Sequence, residues 1–185
     1  MIEYTEHLVL FLIAVAANWF SALAGGGAGL IQLPILIFLG LPFSLALATH
    51  KIATVALGFG ATLRHLREGH LDKLLLLVIF AAGAPGVVLG ALFIVDVNGR
   101  HAEIALGLLT LLLSLYSWFR PELGLNAETK HRNAVGWIIG GVGLFVFGFA
   151  NGALSAGSGL FVTLWLVYWF GLDYKLAVAQ TLVAV

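Results

Sequence analysis

Two short strings hold most of the polar chemistry in this chain. AGGGAG, Ala24 to Gly29, sets four glycines in five positions, and ATHK, Ala48 to Lys51, places a threonine, a histidine and a lysine in a row. Glycine disfavours a helix by about 1 kcal/mol relative to alanine, so Gly25, Gly26, Gly27 and Gly29 predict a break in an otherwise apolar helix. A helix restarting near Leu30 would offer free N–H groups and the positive end of its dipole, which is an anion site that needs no metal. Lys51 would add a formal charge, and Thr49 and His50 hydrogen bonds. Imidazole also titrates near neutral pH, so His50 is a group that could couple a proton. Each feature has a plainer use. The glycines would serve equally for close helix crossing, and Lys51 could stretch its ammonium to a membrane surface.

The pattern occurs twice, about 130 residues apart. Gly27, Gly29 and Leu30 correspond to Gly157, Gly159 and Leu160. After a one-residue slip, Gly40 and Leu41 correspond to Gly171 and Leu172, and LALATHKIA to LAVAQTLVA. The second break, SAGSG, brings hydroxyls from Ser155 and Ser158 beside Gly157 and Gly159. In place of ATHK the second copy reads AQTL, keeping polar Gln180 and Thr181 but no lysine, so the two half-sites are chemically unequal. Gln32, Asn18 and Asn151 are lone polar residues in apolar surroundings. Gln32 and Asn151 are candidate ligand contacts, and all three would also serve as hydrogen-bonding links between helices.

The elements that must hold these residues are membrane helices. The chain is 61% hydrophobic and 10% charged, more apolar than soluble domains are, so its first partner is the lipid bilayer. The net charge of zero gives no reason to expect nucleic acid as a partner. Without cysteine there is no thiolate relay or disulfide framework. His65 and His70 stand five apart with no acidic partner at metal spacing, so neither a metal nor another cofactor is expected. The acidic start, MIEYTEH, argues for a retained membrane segment rather than a signal peptide.

Residues 8–49 and 133–172 contain no charged side chain and no histidine. Each stretch is about two spans long and is interrupted by its glycines. Each therefore predicts either two shorter helices meeting at membrane depth or one full span plus a re-entrant helix. Further spans are expected near 45–63, 74–95, 103–119 and 174–185. Arg64, Arg67 and Lys73 form one basic connection and Arg120, Lys130 and Arg132 another, which puts both on the cytoplasmic side. The absence of Lys and Arg before Leu8 weakly favours inverted over parallel halves. The fold class is all-α, a polytopic integral membrane protein of two related helical repeats with glycine-broken or re-entrant helices. Residues 1–120 form the first repeat, 121–133 a cytoplasmic linker and 134–185 the start of a second repeat. The last apolar run, from about Leu176 to Val185, is half a span long, so the second repeat is expected to be truncated.

Small residues at intervals of four, Ala82, Gly86 and Gly90, then Gly148, Gly152 and Ala156, predict close helix contacts. Pro34 predicts a bend after the helix restart. Trp19, Trp118, Trp137, Trp165 and Trp169, with Tyr116 and Tyr168, predict interfacial belts.

The chain resembles the TauE/SafE, or sulfite exporter, family. The similarity rests on AGGGAG, the LP that follows with its short apolar run, LG-LP ahead of A-AT-HK, GAPGVVLGALF from Gly83 to Phe93, and GFANGALSAGSGL in the second half. It covers essentially the whole chain. The family element usually reads A-T-N-K or A-T-T-K, so His50 stands where asparagine or threonine is common, and AQTL lacks a lysine common in the second half. The resemblance implies passage of small anions such as sulfite, sulfonates or related organosulfur and organic anions across a bacterial inner membrane. The residue pattern alone implies only a path suited to anions; a secondary transporter whose two halves rock in alternating access is the reading that would use it. Two other readings remain open. One is an intramembrane serine hydrolase using Ser158, which would need a histidine base on a later helix. The other is a non-transporting membrane scaffold. An enzyme is not expected, and the sequence does not fix an oligomeric state.

Overall fold

A computed structural model describes residues 2–69, 71–119, 128–155 and 157–184, apart from some side chains within them. His70, Arg120, Ala156 and Val185 lie outside the described residues, as does the side chain of Ser158. The described residues form eight helices: α1 (Ile2–Ala24), α2 (Ala28–Phe38), α3 (Phe43–Glu68), α4 (Lys73–Val95), α5 (Gly99–Phe119), α6 (Ala134–Leu154), α7 (Ser158–Phe170) and α8 (Tyr174–Ala184). Four of these contain stretches long and apolar enough to cross a membrane: His7–Ala24, Phe43–His65, Lys73–Val95 and Ala134–Leu154. In each glycine-broken stretch a helix of span length is followed by one of 11 or 13 residues. At 1.5 Å per residue these reach about half a bilayer.

The breaks divide the chain into matching pieces. Gly25 and Ser155 are both left-handed, as are Gly27 and Gly157, the residues that open α2 and α7. Gly40 and Gly171, which follow α2 and α7, are left-handed too. A left-handed backbone ends a helix without lengthening the chain, so the same stops recur at equivalent positions.

Each broken stretch folds back as an antiparallel hairpin. In the first, Asn18 of α1 meets Gln32 of α2, Gly26 N–H donates to Ser21 O, and Leu10 packs into the cluster of Leu36, Ile37 and Phe43. In the second, the Trp165 indole N–H donates to Gly140 O at 3.1 Å and that of Trp169 to Gly136 O at 2.9 Å. The glycines of α6 leave room for these rings: a Cβ on Gly143 would overlap Trp165 and one on Gly140 would overlap Phe170. Trp165 and Trp169 are thus hairpin packing residues rather than a belt, because their N–H groups are bound to α6 carbonyls. Trp19 and Trp118 keep outward positions, at 64% and 81% exposed.

The tightest contact joins α4 to α6. A Cβ on Gly86 would strike the Phe145 carbonyl, on Gly90 that of Phe149, on Gly148 that of Gly83, and on Gly152 that of Val87. Positions rise together along both helices, so α4 and α6 run parallel with their backbones in contact, as small residues permit in a bilayer. Their starting ends are tied by Arg132 and Asp72 at 3.0 Å. The two basic connections therefore lie at the same end. By contrast α3 and α8 run antiparallel: Ala56 to His65 face the start of α8, where the Tyr174 hydroxyl donates to Ala24 O at 2.6 Å. The open end of the α6–α7 hairpin shares the end marked by Asp72 and Arg132, through Lys130 N–H on Phe170 O. The α1–α2 hairpin opens toward the start of α3, the opposite end.

Candidate functional site

The two breaks abut. A Cβ on Gly26 would overlap the backbone of Gly159 and Leu160, and one on Gly159 would meet Gly26. Both glycine strings thus lie in one place with backbone against backbone, where a side chain on Gly26 would not fit. α2 and α7 start there, each from a glycine, which has no side chain to cap the helix. Their first N–H groups and dipole ends are the features that attract an anion.

α3 and α8 supply the flanks. His50 is buried at 1% exposure, its Nδ1 at 2.9 Å from the Gln32 side-chain oxygen. It also hydrogen-bonds the Ser155 backbone of the second break. Lys51, half-buried, donates to Asn151 O at 3.1 Å. That carbonyl lies in the last turn of α6, where a cation complements the negative dipole end. Lys51 is therefore held inside the protein rather than stretched to a surface. Thr49 turns the other way and donates to Leu45 O of its own helix at 2.9 Å, since a threonine hydroxyl readily back-bonds in a helix.

In the second half, the Thr163 hydroxyl donates to Gly25 O at 2.6 Å and sits 2.9 Å from the Thr181 hydroxyl. Gln32 and His50 stand 18 residues apart, as do Thr163 and Thr181, and a shift of 131 converts one pair into the other. Each pair binds the backbone of the opposite half's break: His50 that of Ser155, Thr163 that of Gly25. Gln180 is buried but points away, its amide reaching Asp72 O at 3.3 Å. Ser158 opens α7 at the break.

Gly25, Gly26, Gly159, Gln32, His50, Lys51, Asn151, Ser155 and Thr181 thus converge, and Thr49 and Gln180 do not. Thr163 was missed. Its signal was present: once the repeat is aligned with the slip that matches Gly40 to Gly171, Thr163 falls on Gln32. Tyr174, bound to Ala24 O, was also missed, because the start of α8 looked like the edge of an ordinary span.

Two clefts reach this region. One of about 250 Å³ lies among Gly83, Val87, Gly148, Asn151, Gly159 and Thr181. The other, about 1020 Å³, runs between α1, α3 and α8 from Val178 beside Gly25 to Arg64, His65, Asp173 and Lys175.

The family model described as "Sulfite exporter TauE/SafE" matches residues 10–185. A probable membrane transporter protein, ORF9, of Sinorhizobium sp is 30% identical over 183 residues, 98% of this chain and 69% of the relative. A probable membrane transporter protein of Haemophilus influenzae is 30% identical over 93% of this chain and 66% of its own length. YfcA of Escherichia coli K12, also named a probable membrane transporter protein, is 29% identical and is covered over 63%. The chain therefore spans about two thirds of the length of these relatives. No solved structure matches. The apolar helices, the paired glycine breaks and these matches agree: the chain belongs to the TauE/SafE family of membrane transporter proteins.

Proposed function

We propose that the protein carries small anions across a bacterial inner membrane by alternating access, with the binding site at the junction of the two glycine breaks. The carrying observation is the meeting of two helix starts that open on glycine, with Lys51 beside them. Backbone N–H groups and helix dipoles favour negative charge there, and Lys51 supplies the formal charge. The hairpins open to opposite ends, which fits inverted halves that rock about a fixed central site. The larger cleft, with Arg64 and Lys175 among its lining residues against the one carboxylate of Asp173, suits the approach of an anion. Sulfite is the substrate that the family description names, and sulfonates extend that choice to anions of similar head group. His50 is the proton-coupling candidate on this path. The relatives' names favour transport over the Ser158 hydrolase and the scaffold.

The test is flux of labelled sulfite and a short sulfonate in proteoliposomes holding the full-length protein, beside Lys51→Ala. Saturable flux in the wild type, lowered at least about tenfold in the variant, is expected, a loss of about 1.4 kcal/mol in transition-state or binding free energy. Absence of flux from a folded protein would overturn the reading.

A further inference from the structure

The polar chain Asn18–Gln32–His50–Ser155 crosses from α1 through α2 and α3 to the second break. Gln32 is fully buried and its side-chain oxygen takes both contacts, from Asn18 Nδ2 at 3.5 Å and His50 Nδ1 at 2.9 Å. Its amide nitrogen Nε2 has no partner. An orphaned buried donor is costly, at about 1–3 kcal/mol, and calls for an explanation. Ser155 N–H is already given to Asn151 O, so the backbone group left for His50 is the Ser155 carbonyl, an acceptor.

Imidazole changes its hydrogen-bonding character with one proton. The imidazolium donates from both nitrogens; the neutral ring donates from one and accepts at the other. With both acceptors as they stand, Gln32 oxygen and Ser155 carbonyl, the ring is fully served only when both nitrogens carry hydrogen. When Nδ1 loses its proton, Gln32 must turn its amide so that the unpartnered Nε2 donates to it. Each proton state of His50 therefore selects one orientation of the Gln32 amide.

The surroundings leave His50 few other charged neighbours. α2 and residues 8–24 of α1 contain no ionisable side chain, nor does α6, and α7 has only Tyr168, 65% exposed. On α3, Lys51 is the adjacent charge acting on His50, and Arg64, His65, Arg67 and Glu68 lie at its far end. Arg100, His101 and Glu103 of α5, which packs on the start of α3, are exposed. On α8, Tyr174 and Lys175 lie at the end bordering Arg64 and His65.

We infer that Gln32 is a positioning residue that ties the proton on His50 to the geometry of the second break, so that anion and proton are bound together. The inference rests on the transport reading. The incoming proton joins the imidazole nitrogen facing Gln32 and makes the ring a double donor. Gln32 oxygen and Ser155 carbonyl are then both engaged, and a second positive charge stands beside Lys51 when the anion arrives. Release on the other side returns the proton and turns the amide. In the second half, Thr163 and Thr181 do the equivalent bonding with hydroxyls, which stay neutral, so a single proton site serves the pair of breaks.

The experiment follows methanesulfonate uptake between about pH 4.5 and 8 in proteoliposomes of the full-length protein, with Gln32→Glu, Gln32→Met and His50→Asn. Methanesulfonate stays ionised throughout, so the profile reports the protein. Wild-type uptake should fall as pH rises through one midpoint. Gln32→Glu, an anionic acceptor, should raise that midpoint by about one pH unit or more, and Gln32→Met, which offers no strong acceptor, should lower it. His50→Asn should flatten the profile. A merely structural Gln32 would lower uptake at every pH with the midpoint unmoved, and that result, or an unchanged profile in His50→Asn, overturns the inference. Should the wild type move no anion, the transport reading fails by itself. ¹⁵N-histidine NMR of the same proteins then decides the coupling: opposite shifts of the His50 midpoint in the two Gln32 variants sustain it, and coincident midpoints overturn it.

Discussion

The two glycine breaks occupy equivalent places and carry different chemistry. At the first, the flanking helix α3 brings an imidazole and an ammonium, His50 bonded to Gln32 and Lys51 to Asn151 O. At the second, α8 brings Thr181 bonded to Thr163 and, in place of the lysine, buried Leu182. Backbone geometry is shared down to the left-handed residues, and charge is not. The glycines and left-handed residues thus fix where the chain breaks, and side chains on the flanking helices decide which break has charged or titratable groups beside it. The first break is flanked by an imidazole and an ammonium; the second is flanked by hydroxyls, which stay neutral.

That contrast can be broken most severely at the shared geometry. Gly26→Ala would put a Cβ into the Gly159 backbone at φ +121°. Strain and overlap together should lower stability by roughly 2–5 kcal/mol and abolish flux, seen as a large fall in the detergent melting temperature. Moving the lysine tests whether the halves are interchangeable. A Lys51→Leu, Leu182→Lys double variant should leave flux at least about tenfold below wild type, because it removes the ammonium that Lys51 seats on Asn151 O from its place beside His50. Restored flux would show that the halves are functionally equivalent. The smallest expected effect is at the neutral pair. Thr163→Val removes the donor to Gly25 O and should cost roughly 1–2 kcal/mol of stability. Its melting temperature should drop by a few degrees, with the midpoint of any pH profile unmoved; a shifted midpoint would place a titrating group in the second half too.

Much of the helical scheme was legible because bilayer physics makes length and apolarity decisive. The span expected at 74–95 is α4, Lys73–Val95, and the glycine strings mark the interruptions after α1 and α6. Other features were not legible because they depend on tertiary pairing. The intervals at Ala82, Gly86, Gly90 and at Gly148, Gly152 announced close packing, yet nothing in either string says that it packs against the other, or in parallel. ATHK looked like one contiguous patch. A helix turns 100° per residue, so His50 and Lys51 reach the breaks while Thr49 bonds to its own backbone. Thr163 was hidden by its setting: a lone hydroxyl in FVTLW reads as tolerated polarity until the slipped repeat lays it on Gln32. The tryptophans misled for the converse reason. An amphipathic ring suits an interface, but glycines on α6 offered Trp165 and Trp169 both space and carbonyl acceptors.

The α4–α6 seam also sets a schedule for biosynthesis. Its four glycines bring the backbone of each helix against the other, so each notched face waits for its partner. α4 is complete at residue 95, whereas its partner is not finished until residue 154. At ~5–20 residues per second, the ribosome needs several seconds to deliver the second face. During that interval α4 is a finished helix with its notched side turned to lipid or to the insertion machinery. Nascent chains stalled between these points should be the most readily captured by chaperones and membrane proteases.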